Sequence, residues 1–284
     1  ILGYIFLIYI LSFILIRAAD HVVIALRHLT KSSGKKGVFI LSALLLALAT
    51  SFPELFVGIT SALEGAPNLS LGNVLGANIA NISLVAGAAA LFVGRVNVHG
   101  EFLRRDVWIA LGAGVLPIVL VFDGELSRVD GLILLSLYGA YASSFFKKRF
   151  LEIGNEIREG TFIHKFFRKV NHIGGSNTKE TARLFLGIAV LLASASLIVN
   201  SAQSLAALAN VPVFLIGLIL LSIGTTLPEL GFSIKSLQDK EPTMFFGNLL
   251  GSIIANSTLI IGIAATISPI KVVACTVPVT FTAE

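Results

Sequence analysis

Two segments of this chain recur at one fixed offset. ALATSFPEL at 47–55 is answered by SIGTTLPEL at 222–230, and GNVLGANIAN at 72–81 is answered by GNLLGSIIAN at 247–256. The offset is 222 − 47 = 175 for the first pair and 247 − 72 = 175 for the second. Thr50/Thr225, Pro53/Pro228, Glu54/Glu229, Gly72/Gly247, Asn73/Asn248, Gly76/Gly251, Ala80/Ala255 and Asn81/Asn256 therefore pair without a gap. A chain that repeats in this way builds its core from two related halves.

How the halves are oriented follows from hydropathy. Of the 284 residues, 55% are hydrophobic and 13% charged, with a mean hydropathy of +0.90, against about 25% charged in soluble domains. Apolar runs near the roughly 20 residues that span a bilayer lie at about 1–17, 38–63, 70–94, 107–122, 130–146, 183–204, 211–234 and 243–268, and a ninth begins near 272. The first repeat copy occupies the second and third spans and the second copy the seventh and eighth. Five spans separate equivalent elements, an odd number, so the copies enter the membrane from opposite sides. The expected fold is an all-α polytopic membrane protein, an inverted-repeat bundle. Its parts are a first half over 1–146 (repeat at about 41–92), a linker over 147–182 and a second half over 183–284 (repeat at about 216–267). Such repeats place ion sites near the bilayer midplane, at broken helices between the halves.

Charge distribution sets an expected topology. With 147–182 cytoplasmic, the segments 17–36, 95–106 and 235–241 fall on the same side, and these four segments with Arg183 hold 19 of the 21 Lys and Arg. Only Arg128 and Lys271 lie elsewhere, while the loop between the fourth and fifth spans carries Asp123, Glu125 and Asp130. The positive-inside rule then puts the N-terminus outside a cell membrane. The net charge of +5 is thus a membrane signature rather than a nucleic-acid one, although the basic linker can meet anionic lipid. The single cysteine, Cys275, excludes an internal disulfide and a multi-cysteine metal site. No obligatory protein partner and no cofactor are implied.

Glu54 and Glu229 are the only acids deep within apolar spans. Each ionised side chain there costs at least about 2.5–3.5 kcal/mol, and two apposed carboxylates also repel. A matched pair is best explained by bound cations or protons rather than by packing. Pro53 and Pro228, just before the acids, remove a backbone donor and displace a carbonyl one turn earlier, which makes carbonyl oxygens available. Thr50 and Thr225 stand four residues before the acids, on the same helical face, and add hydroxyls. In the second motif Gly72, Gly76 and Ala80, echoed by Gly247, Gly251 and Ala255, form a small-residue seam for close helix approach. One position further on, Asn73, Ala77 and Asn81, echoed by Asn248, Ser252 and Asn256, form a mostly polar stripe. It either faces the carboxylates or simply joins helices. The set is all oxygen, which suits hard cations such as calcium and sodium better than zinc or copper.

At these motifs the sequence resembles the sodium/calcium exchanger family of the cation/calcium exchanger superfamily, of prokaryotic type. The resemblance implies ten helices in a 5+5 arrangement, so that this chain, opening on Ile1 and ending inside an apolar stretch, would lack the end of the ninth and all of the tenth. It implies calcium ligation by Glu54, Glu229, Thr50 and Thr225. Sodium would use the acids with Ala47, Ser51, Ala77, Asn81, Ser222, Thr226, Ser252 and Asn256, some through backbone carbonyls. It implies an antiporter rather than an enzyme, carrying sodium and calcium. Three positions depart from the family pattern: Ala77 stands where serine is usual, Asn256 where many members have Asp, and Ala49 where glycine is usual. The site's formal charge is then at most −2, from the two glutamates. Gly76 and Gly251 occupy the positions where proton-coupled relatives carry an extra Glu. Sodium/calcium antiport is the leading reading, with calcium/proton antiport and a passive cation channel as alternatives.

Overall fold

The computed structural model describes residues 1–31, 50–93, 101–153, 178–238 and 242–272. They are mostly helical. Helix α1 spans Leu2–Lys31, α2 Phe52–Leu63 and α3 Pro67–Ala80, which runs through a π-helical turn at Asn81–Val85 into α4, Ala86–Val93. Then follow α5 (Glu101–Leu120), α6 (Arg128–Ile153) and α7 (Thr178–Ala209). The short α8 (Val213–Leu215) passes through a π-helical segment, Ile216–Leu221, into α9 (Ser222–Thr225). Helices α10 (Leu227–Gln238) and α11 (Pro242–Ile254) follow, and a third π-helical segment, Ala255–Ile260, leads into α12 (Ile261–Ile267).

The repeat survives as geometry. Both ends of α2 are displaced by 175 onto α10 (52 → 227, 63 → 238), and the prolines that open α3 and α11 are displaced likewise (67 → 242). The π-helical turns after Ala80 and Ile254 fall at equivalent places, each beginning at or beside the motif's last asparagine, Asn81 or Asn256. Hydrophobic periodicity carries no sign of these turns, since a π-bulge inserts one residue without changing composition.

Six stretches of the described residues are long and apolar enough to cross a bilayer: Leu2–Ala25, Pro67–Ala88, Arg105–Asp123, Ala182–Ala209, Val213–Gln238 and Met244–Ile267. The expected span at 38–63 is represented by the shorter apolar helix Phe52–Leu63, its first part lying outside the described residues. The expected span at 130–146 lies within α6, which continues to Ile153, and the helix carrying the span at 183–204 begins at Thr178. The ends of the 147–182 linker are therefore helical extensions; its middle, and the ninth span beyond 272, lie outside the described residues.

Local chemistry sets the corners. Helix α2 closes with Gly65 at φ 74°, where the Ala66 N–H bonds the Ser61 carbonyl at 2.8 Å, a left-handed cap that a glycine adopts without penalty. The chain turns at once into α3, with Pro67 in its first turn, where a missing N–H costs nothing. Helix α7 ends in the same way, with Asn210 at φ 54° and the Val211 N–H on the Ala206 carbonyl at 3.0 Å.

Helices α1 and α7 pack along their length through Ile8, Leu11, Leu15, Ala18 and Val22 against Leu191, Ala195, Ile198 and Val199. Large apolar side chains elsewhere, among them Phe6, Phe13, Trp108, Phe122, Phe185 and Leu186, are exposed, as lipid-facing surfaces require. Toward the centre, α3 lies against the broken helix of the other repeat at backbone distance. A Cβ on Gly72 would stand 2.1 Å from the Phe214 carbonyl oxygen, and one on Gly76 2.1 Å from that of Leu218. Only glycine permits this approach, so the first seam does join helices closely. The equivalent partners of Gly247 and Gly251 would be residues 39 and 43, outside the described residues. A two-residue antiparallel clamp, Glu125–Leu126 with Ile270–Lys271, ties the two halves together. Leu126 and Ile270 in it are fully buried.

Candidate functional site

Helix α10 is separated from α9 by a single turn residue, Thr226, and α2 is preceded by the turn residues Thr50 and Ser51. Pro53 and Pro228 are each the second residue of the new helix. They open a helix rather than kinking one, because a proline fits the first turn, where its missing N–H has no partner to lose. Pro228 still offers no donor to the Gly224 carbonyl one turn back. The acids follow at once: Glu54 and Glu229 lie in the first turns of α2 and α10, where the partial positive end of the helix favours negative charge.

Both carboxyls are enclosed, with Glu54 0% and Glu229 1% exposed. None of their four oxygens has a hydrogen-bond partner among the described residues, and the two groups are close enough to interact electrostatically. A buried polar group without a partner costs about 1–3 kcal/mol, and a charged one more, so four such oxygens close together mark a candidate site for cations or protons.

The shell around them is built across the repeats. The Thr225 hydroxyl donates to the Asn73 amide oxygen at 3.2 Å, and the Thr50 hydroxyl donates to that of Asn248 at 3.0 Å. These bonds are equivalent under the 175-residue offset, and each joins the broken helix of one repeat to the motif helix of the other. The Thr50 proton goes to Asn248, and that of Thr225 lies between Asn73 and the Ser222 carbonyl, the latter at 3.4 Å. Each hydroxyl keeps lone pairs for another partner, and Thr225 stands beside the Glu54 carboxyl. Asn73 and Asn248 accept from the threonines through their amide oxygens.

The remaining expected residues divide into three groups. Ser51 donates to Ser252 across the repeats at 3.3 Å. The equivalent bond would join Thr226 to Ala77, which has no hydroxyl, and Thr226 instead donates to the Ser222 carbonyl of its own helix at 2.7 Å. Ser222 likewise donates to the Leu218 carbonyl at 2.6 Å. Asn81 and Asn256 are buried, with both amide atoms of Asn81 and the amide oxygen of Asn256 unpartnered among the described residues. Ala77 is fully buried, and Ala47 lies outside the described residues. Asn78, which the motif stripe passes over, bridges this region: it donates to Ser257 at 2.7 Å and accepts from Asn256 at 3.2 Å. Its signal in the sequence was only a buried amide in one copy of a motif whose other copy has Ile253.

Among the described residues there is no cluster of three or more His, Cys, Asp or Glu. Two buried carboxyls with the Thr225 hydroxyl beside Glu54 supply oxygen donors, which suit a hard cation. A bundle of broken, repeat-related helices enclosing such a pair defines a multi-pass membrane transporter for ions.

The comparisons with known proteins agree. The family model described as sodium/calcium exchanger protein matches residues 3–147 and 179–283. The inner membrane protein YrbG of Escherichia coli is 31% identical over 261 residues, covering 90% of this chain and 77% of that protein. The sodium/calcium exchanger MaX1 of Methanosarcina acetivorans is 29% identical, covering 94% of this chain and 84% of that one. Among solved structures, the sodium/calcium exchanger from Methanococcus jannaschii superposes with a TM-score of 0.55 at 25% identity, covering 95% of this chain and 83% of that one. The chain belongs to the sodium/calcium exchanger family, a family of membrane exchangers.

Proposed function

We propose that the chain exchanges sodium for calcium by alternating access, the two kinds of ion competing for Glu54 and Glu229. The observation that carries this reading is the pair of buried carboxyls without hydrogen bonds, with Thr225 beside Glu54 and its repeat equivalent Thr50 held by the same bond in the other half. A calcium ion takes six to eight oxygens at about 2.3–2.6 Å in irregular geometry. The two carboxylates, Thr50 and Thr225 supply the first of these, and one calcium cancels the charge of −2. Sodium would use the same acids with Ser51, Ser252, Asn81 and Asn256, and with backbone or side-chain atoms of Ala47, Ala77, Ser222 and Thr226. With both acids enclosed, ions exchange only when the halves rock to open the site first to one side and then to the other, as two oppositely oriented half-sites permit. The basic linker 147–182 faces the cytoplasm in this reading and the N-terminus lies outside.

A second reading is calcium/proton antiport, in which protonation of the same carboxyls displaces the metal. The same observation favours it, because two protons cancel the charge as well as one calcium does. Gly76 and Gly251, with no further carboxyl at either position, favour sodium.

Reconstituted vesicles separate the two. Calcium uptake driven by an outward sodium gradient at equal pH on both sides supports sodium coupling. Uptake that follows a pH gradient and ignores sodium replaces that reading with the second, and uptake needing neither gradient marks a passive channel.

A further inference from the structure

The two asparagines that close the motifs, Asn81 and Asn256, are equivalent in sequence but differently held. Asn256 donates its amide N–H to the Asn78 oxygen at 3.2 Å, and Asn78 in turn donates to the Ser257 hydroxyl at 2.7 Å. All three are buried. In the other repeat the positions equivalent to 78 and 257 are Ile253 and Ile82 (78 + 175 = 253; 257 − 175 = 82). Neither isoleucine can hold an amide. Accordingly both amide atoms of Asn81 lack a partner among the described residues, whereas only the oxygen of Asn256 does.

An amide is a cation ligand only when its oxygen points at the ion; turned over, it presents N–H groups that repel the ion. An amide whose nitrogen is anchored behind it pays no orientational cost when an ion arrives. We propose that Asn78, backed by Ser257, is a positioning residue that keeps the Asn256 amide oxygen aimed into the ion site. Position 256 is then a pre-set oxygen ligand and Asn81 an adaptable one, so the two half-sites differ in stiffness although their motifs match. The brace also tolerates either residue type at 256. Were that residue an aspartate, the Asn78 amide would turn over, donating to the carboxylate and accepting from the Ser257 hydroxyl. This inference rests on the proposed ion site.

The test is sodium-driven calcium exchange by the reconstituted chain, read as the sodium concentration for half-maximal exchange (KM) and the maximal rate separately. Asn78→Leu is expected to raise the sodium KM by about 3–10-fold, the factor corresponding to one lost hydrogen bond, with the maximal rate within about 2-fold. In an Asn256→Ala background the same substitution should add no further change, because it acts only through Asn256. Asn78→Asp, whose carboxylate accepts from both Asn256 and the Ser257 hydroxyl, should return KM to the parent value or below, which separates positioning from a folding defect. Ile253→Asn, which offers Asn81 the missing partner, should lower KM. The proposal is overturned if Asn78→Leu raises KM equally in both backgrounds, if it lowers only the maximal rate, or if Asn78→Asp fails like Asn78→Leu. It is also overturned, with the ion site intact, if Asn256→Ala leaves KM unchanged while Glu54→Gln abolishes uptake. Normal uptake by Glu54→Gln would instead remove the ion-site reading itself.

Discussion

Thr225 donates its hydroxyl proton to Asn73, a residue 152 positions earlier in the other repeat. The bond repeats, by pseudo-symmetry, between Thr50 and Asn248. It orients the Thr225 hydroxyl beside the Glu54 carboxyl, and the pair of bonds links the broken helix of each half to the motif helix of the other.

The acids are the first point of test. Glu54→Gln keeps the volume of the side chain but removes the charge. Sodium-driven calcium uptake into vesicles should fall to background for Glu54→Gln and, by the same reasoning, for Glu229→Gln. Retained uptake in either variant would remove the reading of the two carboxylates as one shared ion site.

The cross-repeat bonds should couple in pairs. Thr225→Val and Asn73→Leu each remove one partner of a buried hydrogen bond, so each should destabilise the purified protein by about 1–3 kcal/mol, and the double variant by much less than their sum. Thermal unfolding in detergent measures this. The cycle on Thr50 and Asn248 should give a similar coupling, somewhat reduced because that bond is only partly buried.

Position 77 breaks the symmetry. Ala77→Ser puts a hydroxyl opposite Thr226, where Ser252 stands opposite Ser51. Thr226 should then leave the Ser222 carbonyl for the new partner. The sodium concentration for half-maximal exchange is expected to drop by about 2–10-fold, the value of one added hydrogen-bonding oxygen. An unchanged sodium dependence would show that this side of the shell does not see the ion.

The seam glycines give a steric prediction. Gly72→Ala or Gly76→Ala would press a methyl group to 2.1 Å from a backbone oxygen of the opposing helix. Each should cost at least about 1–3 kcal/mol and lower the unfolding temperature. Gly139→Ala, whose new methyl meets nothing within 4 Å, should be neutral or stabilising by up to about 1 kcal/mol, as expected for Gly-to-Ala in a helix.

Much of this was legible in the chain itself. The constant offset of 175 gives the duplicated core, and the ends of α2 and α10 obey it to the residue. The acids could be singled out because a carboxylate in an apolar span is costly enough to need a reason. The glycines of the first seam could be assigned to close approach because small residues at four-residue spacing have few other uses in a membrane. Periodicity missed the π-helical turns at the motif ends, and it placed the prolines within helical spans rather than at the starts of new helices.

What the sequence determined by itself is therefore the repeat, the membrane class and the identity of the two central acids, since each depends on composition and spacing along one chain. The tertiary structure alone decided which oxygen faces which. Asn73 and Asn248 are occupied by the threonines, Thr226 is turned back on its own helix, and Asn78 braces Asn256 on one side only. Each of these outcomes is a contact between residues about 150–200 positions apart, or the absence of one, and side-chain hydrogen bonds have a short reach. Only the packing of one half against the other brings such groups within 3 Å or so.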